Sequence, residues 1–333
     1  MKPIDMAFAT VIVTYGGEKR INGLIKTIES VIIGGSKKIY LVNNGCTYDI
    51  NLIIEKHFAE AKIEIINFKE NMGSSIGFCA GLKRSLNDIA LGSNEYILVL
   101  DDDVILDENF IKSFLSVEND IIDNKHVWSL IRKGRECISN DNKDRNIKYY
   151  NNSIAAFSIY RNKSKVYCKR ANKKISEPIF VPWAGLYIRK GDLLNIKLPD
   201  NDYFVYEDDA DFSLNIRESG YKIYKNDQLI LRESSSSWFE SNGNQESGYK
   251  LYYDIDVSPG RFLYKIRNNV FLIKNRLLTN PVLFYLNIFL YILLGFIRYG
   301  SFTKNGFCRL NMLINAVLAG LNSRLGKNEK WKL

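Results

Sequence analysis

The chain has 333 residues, of which 46% are hydrophobic and 25% charged, with a formal net charge of +9. That length allows one large core, or a main domain with an appendage, and the composition is that of an ordinary globular protein, which excludes low-complexity classes. Cys46, Cys79, Cys137, Cys168 and Cys308 form an odd set without a CxxC pair, which argues against zinc and fits a reducing cytoplasm.

In chain order, "MKPIDMAFATVIV" lacks a charged n-region, a long apolar core and a cleavage site, so no secretory signal is expected. "FATVIVTY" reads as a strand and "INGLIKTIESVII" as an amphipathic helix; "KKIYLVNN" is a second strand, followed by a helix over Ile50 to Ala61. "KIEIINF" is a third strand, then a glycine-rich turn and the helix "GFCAGLKRSLNDIA". "EYILVLDDD" is the fourth strand, with a helix beginning near Asn109. This βαβα alternation predicts a parallel sheet with right-handed crossovers.

Two stretches of this half carry chemistry. In "NMGSSIGFCAG", Gly73, Gly77 and Gly81 recur every four residues across a strand-to-helix turn. Glycines there let backbone approach a ligand and leave helix N–H groups for an anion, although helix packing alone also explains them. Their spacing is neither GxGxxG nor the phosphate loop. In "LDDD", three aspartates follow a buried run. They read either as an acidic cap for the next helix or as a divalent-cation site at the carboxyl end of a strand. An EF-hand is excluded because Leu106 stands where its glycine belongs and Lys112 where its final glutamate belongs. For Asp101 and Asp103 to reach one ion, the chain must turn between them.

From Asn140 to Lys174 the sequence is polar with short β-like pieces. Pro178 to Tyr224 is dense in aromatics and acids, and Glu207, Asp208, Asp209 and Asp211 are expected just before a short helix that Gly220 ends. Four carboxylates exceed what a helix cap needs. One acidic island fit for a metal and one fit for proton abstraction suggest a catalytic pair. Beyond Gly248 the sequence is helical and basic. From Arg261 onward there are 12 Lys/Arg against the single acid Glu329, so this tail carries +11 and the rest about −2. "PVLFYLNIFLYILLGFI" is uncharged over 17 residues and bracketed by Lys274, Arg276 and Arg298. It is marginal for a spanning helix and suits an apolar helix lying on an anionic leaflet, with a core helix or an oligomer contact as alternatives. The expected division is a catalytic domain over 1–247 and a helical region over 248–333. No nucleic-acid partner is expected, since the charges flank apolar segments.

These motifs in this order resemble the family 2 glycosyltransferases over roughly Ala9 to Asn269. The resemblance implies an inverting enzyme of the GT-A fold, an α/β Rossmann-like, mostly parallel sheet, here with a helical basic C-terminal region. It implies a nucleotide-sugar donor, a UDP- or dTDP-sugar, contacted by Thr14, Tyr15, Asn43, Asn71, Gly73 and Asp102. It implies Mn2+ or Mg2+ at Asp103 and Asp101, with Asp101 shared with the nucleotide, and Asp209 as the general base. Asn43 stands where the family usually has Asp, which puts nucleobase choice in doubt. The family's further metal ligand is a His after the base, but His57 and His126 both come too early, and Glu233 in "LRESSSSW" is the substitute. Trp183 is read as an acceptor platform or a core residue, and Asp208 as an acceptor contact. "LYKIRNN" and "EDDAD" resemble galactofuranosyl- and rhamnosyl-transferases. The implied setting is peripheral, on the inner face of the cell membrane, acting on a growing bacterial surface glycan or lipid-linked acceptor, with a homo-oligomer possible. A nucleotidyltransferase and a non-catalytic scaffold are the competing readings.

Overall fold

The computed structural model describes residues 8–119, 121–136, 138, 146–160, 175–234, 248–300 and 302–332. The chain forms two compact units. One comprises Met1–Arg145, Tyr167–Asp200 and Asp209–Asn242; the other comprises Asn146–Val166, Asn201–Asp208 and Gly243–Leu333. The junction expected at residue 247 and much of the 140–174 segment lie outside the described residues.

The first unit opens with β1 (Phe8–Gly16), α1 (Ile21–Ile33), β2 (Ser36–Cys46), α2 (Ile50–Phe58), β3 (Ile63–Phe68), α3 (Ser74–Leu86) and β4 (Tyr96–Asp101). The expected alternation is present. β1 pairs in parallel with both β2 and β4, and β2 with β3. Seven consecutive residues of β1 are buried, as a central strand covered on both faces requires. α1 lays Leu24, Ile28 and Val31 on the sheet at helical spacing. α3 starts at Ser74 rather than Gly77, because Gly73, at φ +88°, provides the N-cap. A Cβ on Gly81 would stand 2.4 Å from Val11 Cγ1, and one on Gly77 would stand 2.9 Å from Val13 Cγ1. Those two glycines therefore seat α3 on β1, the packing alternative, and Gly73 alone stands at the turn.

After β4 come β5 (Val104–Leu106), α4 (Phe110–Glu118), β6 (His126–Ser129), β7 (Ile131–Arg132), β8 (Ile175–Ser176), β9 (Leu186–Arg189), α5 (Lys190–Leu193), α6 (Asp208–Glu218), β10 (Lys222–Asn226) and β11 (Ile230–Glu233). The large sheet runs β3-β2-β1-β4-β9-β6-β10-β8, and a small sheet runs β5-β11-β7. β9 lies antiparallel to both β4 and β6, so the sheet is mostly parallel with an antiparallel insertion. α6 already includes Asp208, Asp209 and Asp211, so only Glu207 precedes the helix.

The second unit contains α7 (Gly248–Tyr253), α8 (Gly260–Arg276), α9 (Pro281–Tyr299) and α10 (Lys304–Leu321), the helical C-terminal region expected. α8 and α10 pack closely enough that a Cβ on Gly320 would meet the Arg267 carbonyl at 2.3 Å. Arg267, on α8, is itself buried and lies over Tyr264 and Trp331.

One polar node is buried beneath the large sheet. Glu118, at the C-terminus of α4 where a carboxylate is disfavoured, accepts from Tyr96 Oη at 2.9 Å and Trp128 Nε1 at 2.6 Å, and pairs with His126 Nε2 at 2.9 Å. Burial works against both charges, yet the bonds from His126 and Trp128 hold Glu118 below its ordinary 4.5, and the Glu118 carboxylate holds His126 above 6.5. A depressed carboxylate stabilises the fold above its unfolded pKa and loses that as pH falls; a raised imidazole stabilises below its unfolded pKa and loses that as pH rises. The node therefore contributes fully between 4.5 and 6.5. Thermal unfolding across about pH 3 to 9 should show a Tm maximum in that window that Glu118→Gln flattens; parallel profiles for the two proteins would contradict the node.

Candidate functional site

The parallel strands deliver their carboxyl ends to one edge of the sheet. Val13 of β1 is level with Asp101 of β4, Thr14 with Asn43 of β2, and Asn43 with Asn67 of β3. Thr14, Tyr15, Asn43 and the three aspartates, distant in sequence, thus meet along that edge, where open α/β sheets bind ligands.

β4 ends at Asp101, the chain turns through Asp102 and Asp103, and β5 begins at Val104. Asp102, with a side chain only 2% exposed, accepts from Thr14 Oγ1 at 2.6 Å and forms an ion pair with Arg20 Nη1. Burial pushes its carboxyl up to about 6, against the Arg20 charge and the Thr14 bond, which pull it down. Arg20 also donates to Tyr15 Oη at 3.2 Å, with its guanidinium 4.3 Å over the Tyr15 ring. Arg20 carried no motif signal. Asp101 faces outward with 41% of its side-chain surface exposed, and Arg132 Nη1 is 3.7 Å away. Partial burial, then the Asp103 charge, push its carboxyl above its ordinary range, against the pull of Arg132. Asp103 and Asp101 thus oppose one another's ionisation at this turn.

The 71–73 turn is tied to the same edge by Asn44, which is buried. Its Nδ2 donates to Gly73 O at 3.0 Å and Asn71 Oδ1 at 3.3 Å, and its Oδ1 accepts from Met72 N at 2.9 Å. Asn71 Oδ1 also accepts from Gly73 N at 2.8 Å. Asn43 donates to Asn67 Oδ1 and accepts from Cys46 N, both at 2.9 Å. β11 lies antiparallel to β5 with Glu233 opposite Val104, and Ser234 N donates to Asp103 O at 2.9 Å. This brings Glu233 beside the aspartate turn, but its carboxylate faces Arg135 Nε at 3.0 Å. Among the described residues, no three His, Cys, Asp or Glu side chains cluster as a metal site.

Asp209 lies in the first turn of α6, its Oδ1 accepting from Ala210 N at 2.8 Å. Ser213, one turn on, accepts from Val181 N at 3.1 Å, and Gly185 N donates to Val99 O of β4 at 2.8 Å. The segment between Val181 and Gly185 thereby connects α6 to β4. Trp183, within it, is sandwiched by Phe78 and Phe212 with centroids 4.7 and 5.1 Å away. Both ring faces are covered, so it is a core residue and offers no face to a sugar. Asp208 is buried.

In the second unit, the backbone leading to Asp208 is strained, with φ of +63°, +68° and +66° at Phe204, Tyr206 and Glu207. Such conformations persist only where surroundings hold them. Asn268 donates to the carbonyls of Tyr203, Val205 and Tyr206 at 2.8, 2.8 and 3.0 Å, and Asn269 donates to Glu207 Oε2 at 3.0 Å. The "RNN" of "LYKIRNN" is therefore a clamp on this loop. Burial raises the Glu207 carboxyl above its ordinary value.

A family model, Glycosyl transferase family 2, matches residues 10–192, more than half of the chain. No curated protein matches. Among solved structures the chain is similar to S. aureus TarS 1-349 in complex with UDP-GlcNAc, at TM-score 0.51 and 14% identity over 96% of this chain and 84% of that one. It is also similar to the same fragment in complex with UDP, at TM-score 0.51 and 12% identity over 96% and 83%. It spans 50% of the longer S. aureus TarS chain. At these identities the likeness shows a shared fold, and the mostly parallel sheet with flanking helices is that fold.

Removing one partner of a buried ion pair strands the other charge. That costs about 3–5 kcal/mol when both are buried, and about 2–3 kcal/mol here because Arg20 keeps some solvent contact. Arg20→Met should lose that much in urea unfolding, and Arg20→Met/Asp102→Asn should lose clearly less. Equal losses in both would show that the pair does not hold the turn.

Proposed function

We propose, from the premise that this chain belongs to glycosyl transferase family 2, that it moves a sugar from a UDP- or dTDP-sugar to a hydroxyl of a growing bacterial surface glycan or lipid-linked acceptor, with inversion at the anomeric carbon. Galactofuranose and rhamnose are the favoured sugars, on the "LYKIRNN" and "EDDAD" segments. The observation that carries the reading is the turn at Asp101–Asp103. Its middle carboxylate is held inward by Thr14 and Arg20, while the charges of Asp101 and Asp103 oppose one another, with Arg132 3.7 Å from Asp101.

The donor set fits Mn2+ or Mg2+. Such ions take one or two carboxylates and complete their shell with substrate phosphates and water, and Asp101 and Asp103 would supply those two. Glu233, facing Arg135, suits a positioning role beside the turn better than a third ligand. When bound, the ion would neutralise charge on the departing diphosphate. Asn43 and the Asn44-held 71–73 turn are placed to meet the nucleotide. Asp209 takes the proton of the acceptor hydroxyl as its oxygen bonds to the anomeric carbon, and the bond to the diphosphate oxygen breaks on the opposite side.

Purified protein screened against UDP- and dTDP-sugars with Mn2+ should release nucleoside diphosphate from one donor class. Asp103→Ala should abolish that release with Tm little changed; near-normal turnover would sink the metal assignment. Asp209→Asn should lower kcat about 10²–10⁴-fold with donor affinity little changed. A crippled Asp208→Asn beside a mild Asp209→Asn would shift the base by one residue. Absence of hydrolysis and transfer with every donor would favour the scaffold reading.

A further inference from the structure

Within the second unit, α9 has two unlike sides. One side is fixed to its own unit by polar and shape-specific contacts. Asn287, fully buried at mid-helix, donates to Asn152 O at 2.8 Å and accepts from Ile159 N at 2.9 Å. A Cβ on Gly295 would stand 2.2 Å from Tyr249 Cζ, and Tyr249 Oη donates to Tyr291 O at 3.0 Å. The other side exposes Val282, Leu286, Phe289, Leu293 and Ile297. Their i, i+4, i+7, i+11, i+15 spacing keeps them on one face, a stripe about 22 Å long at 1.5 Å per residue. Only 28% of the helix's most apolar window is buried. Soluble monomers rarely expose a contiguous apolar face of this kind without a partner.

We propose that this face of α9 docks into the interfacial region of an anionic lipid bilayer, the helix lying in the membrane plane. Three observations select that occupant. The sequence has no Asp or Glu between Asp256 and Glu329 but ten Lys/Arg there, a charge that attracts anionic lipid and repels a second copy of the same face. Both ends of the stripe are polar: exposed Arg298 and Lys304 follow its C-terminal end, and a cavity of about 540 Å³ lined by Lys148, Tyr149, Asn151 and Thr279 lies at its N-terminal end. Cationic and hydrogen-bonding groups at both ends suit headgroup depth at both ends, as an in-plane helix requires. Finally, the flank bound through Asn287 and Gly295 would have to enter the hydrocarbon with its partners if α9 crossed the bilayer, and those partners include Asn152 and the polar 146–160 segment. A spanning helix places no such polar backbone in lipid.

The surface goes beyond the proposed reaction, and its test does not depend on turnover. Full-length protein should co-sediment with phosphatidylglycerol–phosphatidylcholine vesicles and more weakly with pure phosphatidylcholine, with the difference shrinking at high salt. Phe289→Glu/Leu293→Glu, at exposed positions, should lower vesicle partitioning at least about tenfold, while circular dichroism and Tm stay unchanged. Arg298→Glu/Lys304→Glu should lower it at low salt only. Full-length protein remaining in the supernatant with both lipids overturns the proposal. So does a wild-type dimer in sedimentation equilibrium that the Phe289/Leu293 variant dissolves without vesicle binding having been present. Resistance of the membrane-bound chain to alkaline carbonate extraction overturns it as well, since that marks a spanning helix.

Discussion

Three carboxylates in succession at the end of a buried strand repel one another, and the fold accommodates them by treating the middle one differently. Asp102 turns inward to the Thr14 hydroxyl and the Arg20 guanidinium. β4 ends at Asp101, and the chain turns through Asp102 and Asp103 into β5. The arrangement links β1, the segment after it and β4 through one side chain. It also leaves Asp101 beside Asp103, whose charge opposes its ionisation, with Arg132 3.7 Å away. Carboxylates that oppose one another's ionisation would gain from a cation between them, and a pre-formed arrangement of this kind is the condition for electrostatic stabilisation of a charged leaving group.

The rest of the edge is organised around the same need for fixed backbone. Asn44 orders the 71–73 turn as Arg20 orders Asp102, here through a buried side chain whose amide oxygen and nitrogen both bond that segment. Gly45, at φ +75°, lies so close to that turn that a Cβ would stand 2.3 Å from the Glu70 carbonyl carbon. In the second unit, Asn268 and Asn269 hold a loop whose strained conformations would otherwise relax. Side-chain amides recur because each can satisfy a backbone donor and a backbone acceptor at once.

Much of this was legible in the sequence, for specific reasons. The apolar runs of β1, β2 and β4 and the 3.6-residue periodicity of α1 announce a parallel α/β sheet, and the aspartates mark where a strand must end. Gly73 was readable as a turn residue, whereas Gly77 and Gly81 belong to helix packing; spacing alone cannot separate a glycine that admits a ligand from one that admits a valine. Arg20, Asn44 and Arg132 were not readable, because each acts through a partner distant in sequence that only the sheet register brings near. Trp183 carried an ambiguous signal, and the rings of Phe78 and Phe212 on its two faces resolve it. β9 gave no sign of its antiparallel direction, since a four-residue apolar strand has the same pattern either way.

If the Asp102 lock leaves Asp101 and Asp103 ready for a cation, that cation would in turn hold a nucleoside diphosphate. Isothermal titration of UDP into the protein, with and without Mn2+, tests this without any acceptor or donor sugar. The account predicts that Mn2+ strengthens UDP binding at least about tenfold and that Asp103→Ala erases the enhancement while leaving the metal-free affinity unchanged. UDP affinity independent of Mn2+, or an enhancement that survives Asp103→Ala, would contradict it.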